Sequence, residues 1–269
     1  MSANDKVFTG SIPDTYDTFL VPLIFESYAA DLARRVVAQP VQDVLETAAG
    51  SGVVTRALAP LLPDQARFCV TDLNPPMLER AKQRQGEDGR IDWQPADALA
   101  LPFGDQSFDV VCCQFGVMFF PDRQTGYGEA LRVLRPGGRF IFNIWDSIEH
   151  NEFAEIVTRV AGTLLPENPP QFLPRTPYGH GNLDRMRAEL EGAGFTQIEI
   201  EKVTETSTAP HPSHPAVAYA RGTPMYGELA PHGDDLVQHV IEAATEEISA
   251  RFGTGEVSAI IQGFVITAS

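Results

Sequence analysis

The sequence is short of basic residues. It has 20 Lys and Arg against 36 Asp and Glu, which gives a formal net charge of −16. Proteins that bind nucleic acids neutralise phosphates with clustered Lys and Arg, and anionic membrane surfaces attract the same residues. The composition therefore argues against a nucleic-acid-binding surface and against a membrane-surface role.

Long apolar runs and cysteines are also scarce. The longest apolar run, residues 110–120, is interrupted by Gln114 and is shorter than the ~18 residues of a membrane span. The opening residues MSANDKVFTG lack the basic-then-apolar pattern of a signal peptide. The three cysteines, Cys69, Cys112 and Cys113, lie in apolar runs without metal-ligand spacing. We expect buried free thiols in a reducing cytoplasm, with a reactive thiol at Cys112 or Cys113 as the alternative.

What the sequence does contain is an alternation of short apolar runs with helical patterns. It predicts an α/β fold of the Rossmann-like kind, with a seven-stranded, mostly parallel sheet and helices on both faces. Strands are predicted at 41–46, 67–71, 91–94, 108–113, 138–145, 195–203 and 257–267. Helices are predicted at 13–20, 22–37, 52–61, 75–85, 124–134, 153–164, 183–193 and 236–248.

No internal repeat or interdomain linker interrupts this pattern. We therefore expect one domain over residues 1–269, with an N-terminal helical cap at 1–40 and a ligand-binding core at 41–145. Residues 146–269 would supply loops, the last strands, and a helical insertion between residues 204 and 255. A proline-rich loop is expected at 166–177.

The first predicted strand ends in an acid followed by a turn of small residues. Glu46 closes the strand, and Ala48, Gly50 and Gly52 lie in the turn that opens the next helix. Small residues let the backbone approach a ligand closely, and ligands bind at the carboxyl ends of parallel strands. Alone, the pattern is a weak signal, because a tight strand-to-helix turn gives it too.

Polar residues follow the next strands too. Asp72 comes 26 residues after Glu46, where an acid can accept the hydroxyls of a ribose. Asp97 and Ala98 follow the third strand, where a carboxylate and a backbone N–H could pair with adenine. Gln114 ends the fourth strand. Each could be a solvated loop residue, but together they predict a nucleoside-binding edge of the sheet.

Five segments carry a family resemblance: LETAAGSG, VTDLNPPML, PADALALPF, SFDVVCCQFGVMFFPD and LRVLRPGGRFIFNIW. In this order, over about residues 40–145, they resemble the class I S-adenosylmethionine-dependent methyltransferases. The detail is similar to small-molecule enzymes such as those of ubiquinone and menaquinone biosynthesis. The resemblance implies a methyltransferase with S-adenosylmethionine as cofactor. One departure is Ala48, where the family has the first turn glycine.

The resemblance also implies roles for individual positions. Cofactor contacts are expected from Tyr16, Phe25, Glu46, Ala48, Gly50, Asp72, Leu73, Met77, Asp97, Ala98 and Gln114. Asp72 would hold the ribose, and Leu73 and Met77 would flank the adenine. Tyr16 and Phe25 would cover the cofactor, although simple helix packing is an equal alternative for them.

The acceptor side is less well marked. Substrate contacts are expected from Phe115, Met118, Trp145 and Tyr178, whose aromatic and apolar character favours a partly apolar organic acceptor. His180 is the candidate general base or substrate contact, and a local loop hydrogen bond is the alternative. The histidines suggest no metal site.

Two alternatives stay open. One is a non-catalytic module that binds S-adenosylmethionine or S-adenosylhomocysteine, which would lack an acceptor pocket. The other is a nicotinamide-dependent oxidoreductase, but its fingerprint requires a glycine where this chain has Thr55. The oligomeric state is also open, including a homodimer.

Overall fold

Residues 12–269 are described by a computed structural model and contain seven strands. The opening residues MSANDKVFTG, in which no signal-peptide pattern was found, lie outside this range. The strands are β1 (Asp43–Glu46), β2 (Arg67–Asp72), β3 (Ile91–Pro95), β4 (Phe108–Gln114), β5 (Leu134–Trp145), β6 (Ile198–Ala209) and β7 (Val257–Ala268). The α-helices are α1 (Ile12–Thr15), α2 (Glu26–Val36), α3 (Val53–Leu58), α4 (Pro75–Gln85), α5 (Arg123–Val133), α6 (Glu152–Leu164), α7 (Phe172–Arg175), α8 (Leu183–Ala193), α9 (Ser213–Arg221), α10 (Met225–Leu229) and α11 (Asp234–Phe252).

All seven strands join one sheet in the order β3-β2-β1-β4-β5-β7-β6. Strand β1 pairs in parallel with β2 and β4, β2 pairs in parallel with β3, and β4 pairs in parallel with β5. This confirms the predicted mostly parallel sheet. Because parallel strands end at the same edge, the carboxyl ends of β1 to β4 lie side by side.

The central strands are continuous apolar runs because they are covered on both sides. Val44 and Leu45 of β1 are fully buried, as are Val111, Cys112 and Cys113 of β4. Such runs are typical of parallel sheets. The prediction of buried free thiols is confirmed for the cysteines, and burial raises the pKa of Cys113 to about 12.

The described chain divides into two compact units. The sheet unit comprises residues 26–144, 182–203 and 264–269. The helical unit comprises residues 12–25, 145–181 and 204–263, in which α11 packs on α9 and α6. Residues 12–25 of the predicted N-terminal cap and the predicted insertion therefore belong to the helical unit, whereas α2 belongs to the sheet unit. No helix within residues 12–269 combines the length and hydropathy needed to span a bilayer.

Several predicted boundaries were wrong. The sixth strand continues to Ala209, whereas its polar second half was predicted to be loop. This strand lies at the sheet edge, where alternate side chains face solvent, so threonine and glutamate are tolerated. The fifth strand begins at Leu134 rather than residue 138.

The N-terminal helix also differs from its prediction. Residues Tyr16–Phe25 form a π-helical segment before α2, and Pro22 lies inside it. Proline has no backbone N–H and cannot make the regular α-helical bond, which favours a locally altered helix. The predicted loop 166–177 contains α7, whose N-terminus is held by the Glu228 carboxylate through the N–H groups of Gln171 and Phe172.

Candidate functional site

The turn after β1 (residues 47–52, here the β1 turn) has a left-handed backbone at three positions. The φ angles are +52° at Ala48, +57° at Gly50 and +78° at Gly52. At Gly52 a Cβ would lie 2.8 Å from the Cβ of Ala81 in α4, so glycine is required there for space as well as for conformation. Ala48 is a non-glycine residue in this region, and such strain clusters at ligand sites.

Asp72 ties the β1 turn to the end of β2. Its Oδ2 accepts the Gly50 N–H at 2.8 Å, and its Oδ1 accepts the Asn74 N–H at 2.7 Å. Burial raises the pKa of Asp72, while these two N–H groups oppose the shift. Each carboxylate oxygen has a second lone pair. The side chain can therefore hold the turn and still accept the hydroxyls of a ribose.

Glu46 lies buried at the end of β1, with 1% of its surface exposed. Its Oε2 accepts the Thr55 hydroxyl at 2.6 Å. Burial raises the pKa of Glu46 to about 8, against the lowering effects of the Thr55 hydrogen bond and the Arg56 charge. The carboxyl is therefore mostly protonated at neutral pH when the chain is without ligand.

The ends of β2 and β3 offer an apolar surface beside an acid. Leu73 is 57% exposed, and the Cε of Met77 lies 4.0 Å from the position of a Cβ on Gly50. Asp97 is exposed, and its Oδ1 accepts the Leu99 N–H at 2.9 Å, while Ala98 is half-buried. An exposed leucine with a nearby methionine fits the flat face of an adenine.

The loop after β4 (residues 115–119, here the β4 loop) packs against the β1 turn. Phe115 has a φ of +48°, and its ring meets Tyr28 edge-on at 5.1 Å between centroids. A Cβ on Gly116 would lie 2.6 Å from the Cβ of Ala48, so the two loops touch there. Gln114 is half-buried at the strand end. Phe115 and Met118, the candidate substrate contacts, are 5% and 2% exposed.

Three residues of this site were missed by sequence reasoning. Asn143 accepts the Phe115 N–H, and Gly116 lies against Ala48. The Ser51 hydroxyl oxygen is buried without a hydrogen-bond partner in the described part of the chain. A lone asparagine in the apolar run FIFNIW was the available signal. A buried hydroxyl with unused capacity and the spare lone pairs of Asp72 fit a polar cofactor at the β1 turn.

In the helical unit, four predicted residues come together in a chain of aromatic rings. Centroid distances are 5.3 Å for Tyr16–Phe25, 6.1 Å for Phe25–Trp145 and 5.9 Å for Trp145–Tyr178. The hydroxyls of Tyr178 and Tyr219 lie 3.4 Å apart. We call these five residues the aromatic chain. Tyr16 and Phe25, expected beside the cofactor, thus share a unit with two of the four expected substrate contacts, Trp145 and Tyr178.

His180 is half-buried in a loop of the same unit. At the next position, a Cβ on Gly181 would lie 3.7 Å from Oδ1 of Asp146. Asp146 is 8% exposed and accepts the Ser147 N–H at 2.7 Å and the Gln262 amide at 2.6 Å. The His180 loop therefore runs past a buried carboxylate. Within residues 12–269, no three metal-binding side chains come together.

The sequence is similar to known methyltransferases. A family profile described as a methyltransferase domain matches residues 45–142. A ubiquinone/menaquinone biosynthesis C-methyltransferase of Shewanella sediminis is 27% identical over 186 residues, which cover 65% of this chain and 74% of that protein.

Solved structures give a matching result for the fold. Haemonchus contortus phosphoethanolamine N-methyltransferase 2, in complex with S-adenosyl-L-methionine, has a TM-score of 0.61 at 14% identity and covers 100% of this chain and 60% of its own. The YcgJ protein of Bacillus subtilis has a TM-score of 0.55 at 20% identity, with 90% and 97% covered. At these identities the structural likeness concerns the fold alone.

Proposed function

Because the chain is a class I S-adenosylmethionine-dependent methyltransferase, we propose that it methylates a small, partly apolar organic acceptor. When bound, the cofactor supplies an activated methyl group on a sulfonium centre. The protein must then bind and orient both reactants and exclude water. Positioning of this kind can supply most of the rate, with effective molarities of about 10⁵ M or more.

The cofactor-binding roles that we propose follow the strand ends. Ala48 and Gly50 lie against the methionine part, with Glu46 beneath them and Gln114 toward the amino end. Asp72 accepts the ribose hydroxyls, which is supported by its two spare lone pairs beside the Gly50 N–H. Adenine lies on Leu73 and Met77, and Asp97 and Ala98 read its edge. For Tyr16 and Phe25 we propose a cofactor contact because the family resemblance implies one.

The aromatic chain is the main observation that supports a partly apolar acceptor. Trp145 and Tyr178, with rings 5.9 Å apart, are both nearly fully buried. Aromatic faces bind flat or apolar molecules, and the tyrosine hydroxyls add a polar end. In the sheet unit, Phe115 and Met118 are also proposed as acceptor contacts. The names of the curated relatives further favour carbon as the methylated atom.

His180 is the proposed base for an acceptor that loses a proton as the methyl group is transferred. Asp146 lies beside the loop that carries it, at Gly181. A base is useful only when the proton leaves near the transition state. For an acceptor that is already a carbanion or an enolate, the histidine would serve only as a contact.

Label transfer tests this proposal. The chain is incubated with S-adenosylmethionine carrying an isotopically labelled methyl group and a metabolite extract, and products are identified by mass spectrometry. We expect a labelled, partly apolar small molecule. The Asp72→Ala variant, which loses two charge-assisted hydrogen bonds at about 1.5–3 kcal/mol each, should not form it.

The matched control is Asp92→Ala, because Asp92 is an exposed acid at the amino end of β3, opposite the carboxyl end where the site lies. It should form the product normally. Product formation by Asp72→Ala at the wild-type rate would contradict the ribose role. With the acceptor in hand, His180→Ala should lower kcat about 10²-fold or more if His180 is the base. Full retained turnover would remove it from the mechanism.

A further inference from the structure

We propose that Asn143 is a positioning residue for the cofactor site, acting through the β4 loop on the β1 turn. Asn143 lies in β5 opposite Gln114 of β4 and has no exposed surface. Its Oδ1 accepts the Phe115 N–H at 3.0 Å, and its backbone oxygen accepts the same N–H at 3.2 Å. Its Nδ2 has no hydrogen-bond partner within residues 12–269. The one bond that its side chain makes there is thus the bond to Phe115.

That bond holds Phe115 in a conformation that a bulky residue rarely adopts. The φ of Phe115 is +48°, in the left-handed region that favours glycine. Such a backbone persists only where its surroundings fix it from several sides. The Asn143 side chain fixes the N–H, and the Tyr28 ring fixes the phenyl group. Tyr28 is itself held, since its hydroxyl donates to the Val203 carbonyl at 2.9 Å.

The residue that follows transmits this constraint to the β1 turn. Gly116 has an ordinary φ of −96°, so it is needed for space and not for conformation. A Cβ there would lie 2.6 Å from both the Cβ of Ala48 and the Sγ of Cys113. The methyl group of Ala48 therefore fits because position 116 has none. Ala48 and Gly116 form a matched pair between the two loops.

A positioning role makes a prediction that simple core packing does not. Loss of the Asn143 oxygen should weaken cofactor binding more than it weakens the fold. Asn143→Ala removes the side-chain acceptor and leaves only the longer bond to the backbone oxygen, whereas Asn143→Asp keeps a side-chain oxygen facing the Phe115 N–H. Ile141→Ala is the matched control, because Ile141 is a fully buried residue of the same strand that pairs with Cys112 of β4, outside the β4 loop.

Calorimetric titration with S-adenosylmethionine and thermal unfolding without it measure the two effects. We expect Asn143→Ala to raise Kd about tenfold, the equivalent of one lost hydrogen bond. Asn143→Asp should stay within about threefold of the wild type on the same scale. Ile141→Ala should lower Tm at least as much as Asn143→Ala with Kd unchanged. Equal Kd changes in Asn143→Ala and Ile141→Ala would overturn the proposal, as would a loss in Asn143→Asp equal to that in Asn143→Ala.

The Gly116 contact gives a second test, which does not depend on the Asn143 variants folding. Gly116→Ala should raise Kd for S-adenosylmethionine about tenfold or more. Adding Ala48→Gly to that variant removes one of the two close contacts and should restore part of the affinity. Wild-type affinity in Gly116→Ala, or no recovery in the double variant, would contradict the coupling. Both tests read cofactor binding, so they stand even if the proposed acceptor is wrong.

Discussion

A carboxyl group buried at the end of β1 links the cofactor site to the pH dependence of the fold. The pKa of Glu46 is raised by burial from its ordinary value of 4.5 to about 8. The folded chain therefore keeps a proton that the unfolded chain has already lost at neutral pH. Stability from this group is fully present below pH 4.5 and is lost as the pH rises through 8.

Replacing Glu46 by glutamine tests this linkage. Between pH 5 and 8 the wild type, without cofactor, should lose up to ~1.4 kcal/mol per pH unit through Glu46. Glu46→Gln keeps an acceptor for the Thr55 hydroxyl but does not titrate, so its free energy of unfolding should vary less over this range. Urea unfolding at pH 5, 6, 7 and 8 measures the slopes.

The control is Glu79→Gln, since Glu79 is an exposed carboxylate of α4. Its slope should match that of the wild type. Identical slopes for Glu46→Gln and the wild type would show that Glu46 ionises normally in the folded chain.

The site residues that could be predicted from the sequence are those marked by their immediate neighbours in the chain. Glu46 and Asp72 could be predicted because each follows an apolar run at the point where a strand must end. Asn143 could not, because its bond to Phe115 joins residues 28 apart and depends on the register of β4 and β5. The left-handed backbone of Phe115 has no signal in the sequence either, since phenylalanine is not a residue that favours it.

At the scale of single elements, two helices begin with an asparagine at the N-cap position, but only one of these asparagines caps its helix with a side-chain hydrogen bond. Asn74 precedes α4 and Asn182 precedes α8, both with extended backbones. The Asn182 Oδ1 accepts the Arg185 N–H at 2.9 Å, whereas the Asn74 side chain makes no capping bond. At Asn74 the Asp72 carboxylate accepts the backbone N–H instead. Asn74 therefore occupies the N-cap position of α4 without capping the helix through its side chain.

This difference predicts unequal costs for the same substitution. Asn182→Ala should lower the free energy of unfolding by about 1 kcal/mol, because a helix N–H loses its partner. Asn74→Ala should change it by less than about 0.5 kcal/mol, since no capping bond is lost. Urea unfolding of the two variants compares them directly. Equal losses would show that the capping bond of Asn182 contributes nothing.

Element boundaries were predicted well where a helix or strand is specified by its own residues. The bounds of α4 and α8 match their predictions, because a proline opens the first and Gly194, with a φ of +110°, follows the second. Prediction failed where a residue distant in sequence determines the start or the end of an element. Helix α7 begins at a carboxylate supplied by Glu228, and β6 extends along a sheet edge that only the tertiary fold defines.

For the whole molecule, the acidic balance is accompanied by extensive pairing of the few basic side chains. Ion pairs join Arg123 to Glu189, Arg132 to Glu129 and Arg159 to Glu247. Further arginines with an acidic partner are Arg35, Arg67, Arg90, Arg135, Arg175, Arg221 and Arg251. Acidic residues therefore outnumber the arginines, and most of the arginines also form an ion pair with a nearby carboxylate.

This arrangement predicts that the protein does not bind polyanions. Proteins that contact phosphates bind DNA non-specifically with Kd of about 10⁻⁴ to 10⁻⁶ M at physiological salt and more tightly at lower salt. A chain with a net charge of −16 is repelled by the same phosphates, and its paired guanidinium groups would have to leave their carboxylates first. In a gel-shift titration at about 50 mM salt, we expect no complex with duplex DNA or RNA up to about 10⁻⁴ M protein. A complex that weakens as salt is added would show that an unpaired basic surface exists and would reopen a nucleic acid as the methyl acceptor.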